Sequence, residues 1–69
     1  MTVLDARGLS CPEPVILLRQ AMKTKDELYE IRVDNVTSRE NVTRYAEHQG
    51  YHVTVREEAG DYVLLAQKP

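Results

Sequence analysis

Two prolines, Pro12 and Pro14, sit one residue apart in the stretch Arg7-Gly8-Leu9-Ser10-Cys11-Pro12-Glu13-Pro14-Val15 and leave the chain few choices there. Proline supplies no backbone N–H, so it breaks a helix interior or a central strand but fits the first turn of a helix, where the amides have no intrahelical partner anyway. The residue before a proline is pushed out of the α region. A helix therefore has to begin at this point, with Pro12 as its first residue and Cys11 as its N-cap. Upstream, Thr2-Val3-Leu4-Asp5-Ala6 has the composition of a short strand, and Gly8 supplies the positive φ of a tight turn between the two. Downstream, Val15, Leu18, Ala21 and Met22 recur at helical spacing to about residue 23, with Arg19, Gln20 and Lys23 on the wet side and Ile16 among them.

The rest of the chain continues this switching of period. From Glu27 to Asp34, Tyr29, Ile31 and Val33 alternate with Glu30 and Arg32, as in a half-buried strand. Thr37-Ser38-Arg39-Glu40 has the spacing of a capping box. Val42, Tyr45, Ala46 and Gln49 share a helix face, and Gly50 marks the helix end. Tyr51, Val53 and Val55 alternate with His52, Thr54 and Arg56; a turn at Glu57-Glu58-Ala59-Gly60 then leads into a last strand from Tyr62 to Gln67. The order β-α-β-α-β-β predicts an α+β fold, a two-layer α/β sandwich. It consists of a four-stranded mixed sheet made from two βαβ units and a terminal hairpin, with both helices on one face because such crossovers are right-handed. The other face is left open, with Leu28 and Val63 or Leu65 available for another chain to cover. A chain of 69 residues supports one domain, residues 1–69, with a thin core.

Cys11 is the only cysteine, so no internal disulfide is available, and a secreted domain this small would ordinarily need several. The N-terminus lacks the basic start and apolar run of a signal peptide, and no segment approaches the length of a membrane span, so a cytoplasmic, membrane-free protein is expected. The formal charge of -2 gives no basic surface for nucleic acid, whose direct binding is not expected. Residues 1–23 nevertheless hold Arg7, Arg19 and Lys23 against Asp5 and Glu13, so the cysteine lies in the more basic third.

A free cysteine is commonly a small buried hydrophobe. At an element end before proline, off the apolar stripe, Cys11 reads instead as a reactive thiol. In an open α/β sheet, ligand sites gather where strands turn into helices, and both such turns, Arg7 to Cys11 and Asp34 to Thr37, are expected on one edge. The positive end of a helix dipole and a nearby Arg7 both favour an anion there. Asp5 is placed to accept amide hydrogens in the first turn, and Asp34-Asn35 to line the same edge. Hydrolysis fits poorly because the only histidines, His48 and His52, lie beyond the second helix. One cysteine and two histidines at this spacing do not make a zinc site, there is no CxxC pair, and no phosphate-binding glycine loop is present, so neither metal nor cofactor is expected.

The stretch Leu4-Asp5-Ala6-Arg7-Gly8-Leu9-Ser10-Cys11-Pro12-Glu13-Pro14-Val15 resembles the signature of the TusA/SirA/YedF family of small sulfur carriers, a Cys-Pro-x-Pro motif at the first helix preceded by Asp and Gly. The matching positions are Asp5, Gly8, Cys11, Pro12 and Pro14. The segment from Val33 to Val55 looks more like the YedF-type domain, linked to selenium metabolism, than like the tRNA-thiolation carrier. YedF-type proteins can carry a further DsrE-like domain, for which this chain has no room. The resemblance implies that Cys11 takes a persulfide from a cysteine desulfurase or rhodanese-like donor and relays it to a downstream acceptor protein, as a carrier and not as a stand-alone enzyme. Glu13, Ile16, Leu17, Arg19, Gln20 and Lys23 along the exposed side of the first helix would then meet the partner. The competing readings are a regulatory or interaction domain with a redox-sensing thiol, and RNA binding through the open sheet face.

Overall fold

The computed structural model describes residues 1–69 and gives the order β1 (Thr2–Asp5), α1 (Glu13–Ala21) with a 3₁₀ turn over Met22–Thr24, β2 (Leu28–Val33), α2 (Val36–His48), β3 (His52–Glu58) and β4 (Asp61–Gln67). This is the expected two-layer α+β fold with a four-stranded mixed sheet. The strand order is β1-β2-β4-β3, with β1 parallel to β2 and β4 antiparallel to both its neighbours. The second βαβ unit is therefore split. β3 does not lie against β2, because the hairpin returns β4 into the space between them. Ala59 (φ 53°) and Gly60 (φ 83°) form the two-residue turn, the paired positive φ values matching the twist of a tight hairpin.

The alternation read from the sequence sets the core. Tyr29, Ile31 and Val33 on β2 are fully buried, in register with Ala66, Leu64 and Tyr62 on β4. The helices close over this face with Leu18 from α1 and Val42 and Ala46 from α2. Tyr29 and Tyr51 meet edge to face at 5.6 Å between ring centroids. Within the expected α1 stripe only Leu18 is fully buried; Val15, Ala21 and Met22 pack half-buried against the core together with Leu17, and Gln49 of the α2 face lies exposed as the C-cap. The end of α2 is closed as Gly50 implied. Gly50, at φ 87°, donates its amide to the Glu47 carbonyl at 2.9 Å, and Tyr51 donates to Ala46 at 3.1 Å.

Three local expectations are corrected. The N-cap of α1 is Pro12, not Cys11: the Pro12 carbonyl accepts the amides of Val15 and Ile16, both at 3.1 Å, so the helix opens one residue later and Cys11 belongs to the preceding turn. The N-cap of α2 is Asn35 and not Thr37. Asn35 Oδ1 accepts the Ser38 amide at 2.8 Å, two residues ahead of the expected box, and Ser38 is buried. The outer sheet face is also less open than its apolar residues suggested. Val63 is fully buried, flanked in register by Arg32 and Arg56, whose head groups both reach Glu58, while Leu28 and Leu65 are half-buried.

Candidate functional site

The loop from β1 to α1 is held at nearly every residue. Ala6 extends the β1 pairing by donating its amide to the Arg32 carbonyl at 2.8 Å. A turn follows in which Leu9 donates to the Ala6 carbonyl at 3.4 Å and Gly8 takes φ 77°, the positive value that glycine at the third turn position permits. Asp5 Oδ1 accepts the Arg7 amide at 3.1 Å, as expected of a turn aspartate. The Gly8 amide crosses to Asp34 Oδ2 at 2.8 Å, so the two strand-to-helix turns are joined by a direct bond. Glu13 donates to the Ser10 carbonyl at 2.8 Å and closes the approach to α1. Pro14 is buried under the first helical turn, while Pro12 stays exposed.

Cys11 stands on this loop as an exposed free thiol. The second helix reaches the sulfur: Asn41, in the middle of α2, donates from Nδ2 to Cys11 Sγ at 3.6 Å. The expectation that the cysteine turn and the start of the second helix share an edge is met by the Gly8–Asp34 bond. Asn41 itself was not singled out from the sequence. Nothing in its local pattern distinguishes it from other half-buried helix residues, and its partner is thirty positions away. The amides of Ser10 and Cys11 donate to no acceptor within the chain.

Arg7 does not face the sulfur as its position in the sequence suggested. Its Nε and Nη2 bond the two Asp5 oxygens at 2.9 and 2.8 Å, and Nη1 lies 3.4 Å from Asp61 Oδ2. Arg32 shares that Asp61 oxygen at 3.4 Å and bonds Glu58 at 2.6 Å, and Arg56 completes the chain at 3.3 Å from Glu58. A ladder of alternating charge thus runs from the cysteine loop across the outer face to β3. Hydrogen bonds from the Arg7 side chain, and then from its amide, hold the Asp5 carboxyl down at about 2, and the guanidinium is pushed up in return. Asp34 is lowered by the Gly8 amide first and the Asn35 side chain second, and Glu58 by Arg32 and then Arg56. These exposed pairs fix geometry more than they add stability.

Exposed apolar residues occur on the cysteine loop and on both helices. Leu9 lies two residues before Cys11, Ile16 is exposed on α1, and Val36 is exposed at the first position of α2. Glu13 and Arg19 are exposed along α1, so of the sequence-derived contact residues only Leu17 turns inward to the core. Leu9 and Val36 escaped the sequence reading because Leu9 lies in a turn and Val36 at the very start of α2, where the helical and strand periods give no signal.

The family model described as Sulfurtransferase TusA matches residues 2–68. A sulfur carrier protein TusA of Pseudomonas paraeruginosa is 30% identical over 69 residues, covering 96% of this chain and 87% of that one. A protein of Methanocaldococcus jannaschii, provisionally named a sulfur carrier, is 38% identical over 60 residues, or 84% of this chain and 80% of the relative. The crystal structure of a SirA-like protein from Desulfitobacterium hafniense superposes with a TM-score of 0.87 at 31% identity, covering 97% of this chain and 96% of that one.

Proposed function

The chain belongs to the sulfurtransferase TusA family, and from that premise we propose that it is a sulfur carrier in which Cys11 accepts a sulfane sulfur as a persulfide and relays it to an acceptor protein. The observation that carries the reading is the exposed Cys11 thiol on a turn braced by the Gly8–Asp34 bond, with an Asn41 amide on its sulfur. In loading, the Cys11 thiolate attacks the outer sulfur of a persulfide on a cysteine desulfurase or rhodanese-like donor. A new S–S bond forms at Sγ, the donor's S–S bond breaks, and its electron pair stays on the donor cysteine as a thiolate. No general base stands beside the thiol, so the partner brings the group that takes its proton as the attack proceeds.

Each loop residue then has a task. Gly8 makes the turn, Asp5 with Arg7 clamps it, Pro12 and Pro14 start α1 with fixed φ, and the free amides of Ser10 and Cys11 offer donors to an anionic outer sulfur. Exposed Leu9 on the cysteine loop and exposed Ile16, Glu13 and Arg19 on α1 offer an acceptor an apolar contact with charged neighbours. The reading is tested by supplying radiolabelled cysteine sulfur through a desulfurase and separating the products without reductant. Label is expected on the chain and is lost when a thiol reductant is added. Equal labelling of Cys11→Ala rejects the proposal.

A further inference from the structure

Asn41 makes the one side-chain hydrogen bond to the Cys11 sulfur, from Nδ2 at 3.6 Å. The guanidinium nearest in sequence is taken up by Asp5 and Asp61 and makes no bond to the thiol. Asn41 itself is half-buried on α2, a helix whose start is fixed by the Asn35 cap and whose preceding turn is bonded to Gly8. The backbone is thus fixed on both sides of the contact, and the Asn41 side chain makes no other hydrogen bond.

A neutral N–H donor bonds a sulfur anion more strongly than a bridging, two-coordinate sulfur. Through the carrier cycle Sγ changes between these forms. It attacks as a thiolate in loading and leaves as a thiolate in release, and is the inner atom of an S–S bond while the carrier is loaded, with any negative charge then on the outer sulfur. We infer that Asn41 is a positioning residue for unloading: it holds Sγ and stabilises it as the thiolate leaving group when the outer sulfur is taken. This rests on the persulfide-carrier reading and adds the step at which the second helix acts.

In release, an acceptor thiolate attacks the outer sulfur of Cys11–S–SH. The new S–S bond forms, the Sγ–S bond breaks with its electron pair going to Sγ, and the proton stays on the transferred sulfur. Charge grows on Sγ only as that bond breaks, so the Asn41 bond strengthens toward the transition state and accelerates the step. A better-stabilised thiolate also leaves faster. In loading, Sγ begins as the full anion and the same bond weakens as attack proceeds, so Asn41 gives no acceleration there.

The two half-reactions are separable without any partner protein. Inorganic polysulfide loads Cys11, read as a gain of sulfur mass: the thiolate attacks a terminal sulfur, an S–S bond of the polysulfide breaks, and the chain shortened by one sulfur leaves with the electron pair; cyanide then unloads it. Cyanide attacks the outer sulfur, a C–S bond forms, thiocyanate departs, Sγ keeps the bonding pair and the persulfide proton goes to solvent. Asn41→Leu is expected to slow thiocyanate release about tenfold, the size of effect one charge-directed hydrogen bond has on a rate. Its loading rate is expected to change by less than about threefold, as a leaving-group effect confined to release requires. Asn41→Gln, which keeps the amide on a longer arm, is expected to recover part of the release rate. Asn41→Asp, close in size and able to stand in if the leucine variant fails to fold, is expected to release at least as slowly as the leucine variant. Thiocyanate rates equal to the parent's in all soluble variants, or loading and release falling by the same factor, overturn the inference and leave the carrier reading standing. A parent chain that takes up no sulfur from polysulfide or from protein donors overturns both.

Discussion

The amide of Gly8 lies 2.8 Å from Asp34 Oδ2, and this one bond couples the turn bearing Cys11 to the turn that starts the second helix. It makes the position of the thiol a property of both βα turns. Asp34→Ala is expected to speed exchange of the Gly8 amide with solvent and to broaden the NMR signals of Ser10 and Cys11, with the core signals of Tyr29 and Ile31 unchanged. Unaltered loop signals would show that the other turn bonds suffice.

Three lowered carboxylates add a small, solvent-screened contribution to stability that is lost in acid. Asp5 is lowered from 3.8 to about 2, and Asp34 and Glu58 are lowered as well, each by the hydrogen bonds it accepts. A carboxyl with a folded-state value below its unfolded one adds stability that is complete above the unfolded value and disappears as pH falls through the folded one. Urea unfolding is therefore expected to give the same midpoint from about pH 7 to about pH 5 and a falling midpoint from about pH 4 to about pH 2. Titration of the Asp5 carboxyl followed by NMR should have its midpoint near 2. Asp5→Asn should flatten part of the acid decline.

The cap of α2 separates two readings of the same sequence. Asn35, which accepts the Ser38 amide, is the residue whose loss should matter. Asn35→Ala is expected to cost about 1 kcal/mol in urea unfolding and Thr37→Ala less than about 0.5 kcal/mol. The reverse order would restore the capping box at Thr37.

Tyr29 is buried to its hydroxyl, which accepts the Asp26 amide at 2.8 Å and lies 3.2 Å from the Ala21 carbonyl and 3.1 Å from Thr24 Oγ1. It pins the end of α1 to the start of β2. Tyr29→Phe leaves the Asp26 amide without its acceptor at a half-buried joint, while Thr24 keeps its bond to the Ala21 carbonyl, and is expected to destabilise by about 1–3 kcal/mol. The Leu18→Ala change, which empties the fully buried centre of α1, should cost about 2–5 kcal/mol. Equilibrium urea denaturation measures both.

The periodic parts of this chain were legible from sequence. Alternation at Tyr29, Ile31 and Val33 placed β2, and the proline pair placed the start of α1 to within one residue. What escaped depends on partners distant in sequence. The Arg7–Asp61 approach spans 54 positions, the Asn41–Cys11 contact 30, and the burial of Val63 comes from two arginines on neighbouring strands. The insertion of β4 between β2 and β3 belongs to the same class, since element order alone is compatible with more than one strand order. At the site, Cys11, Asp5 and Gly8 were readable from local turn chemistry. The redirection of Arg7 to carboxylates and the role of Asn41 required the assembled fold.

The central claim is that Cys11 holds the travelling sulfur. Intact-mass spectrometry of the chain after incubation with a cysteine desulfurase and cysteine, compared with Cys11→Ser treated alike, tests it most directly. One added sulfur on the parent chain and none on the variant is the predicted result; no adduct on the parent with several donors, or an undiminished adduct on the variant, contradicts it.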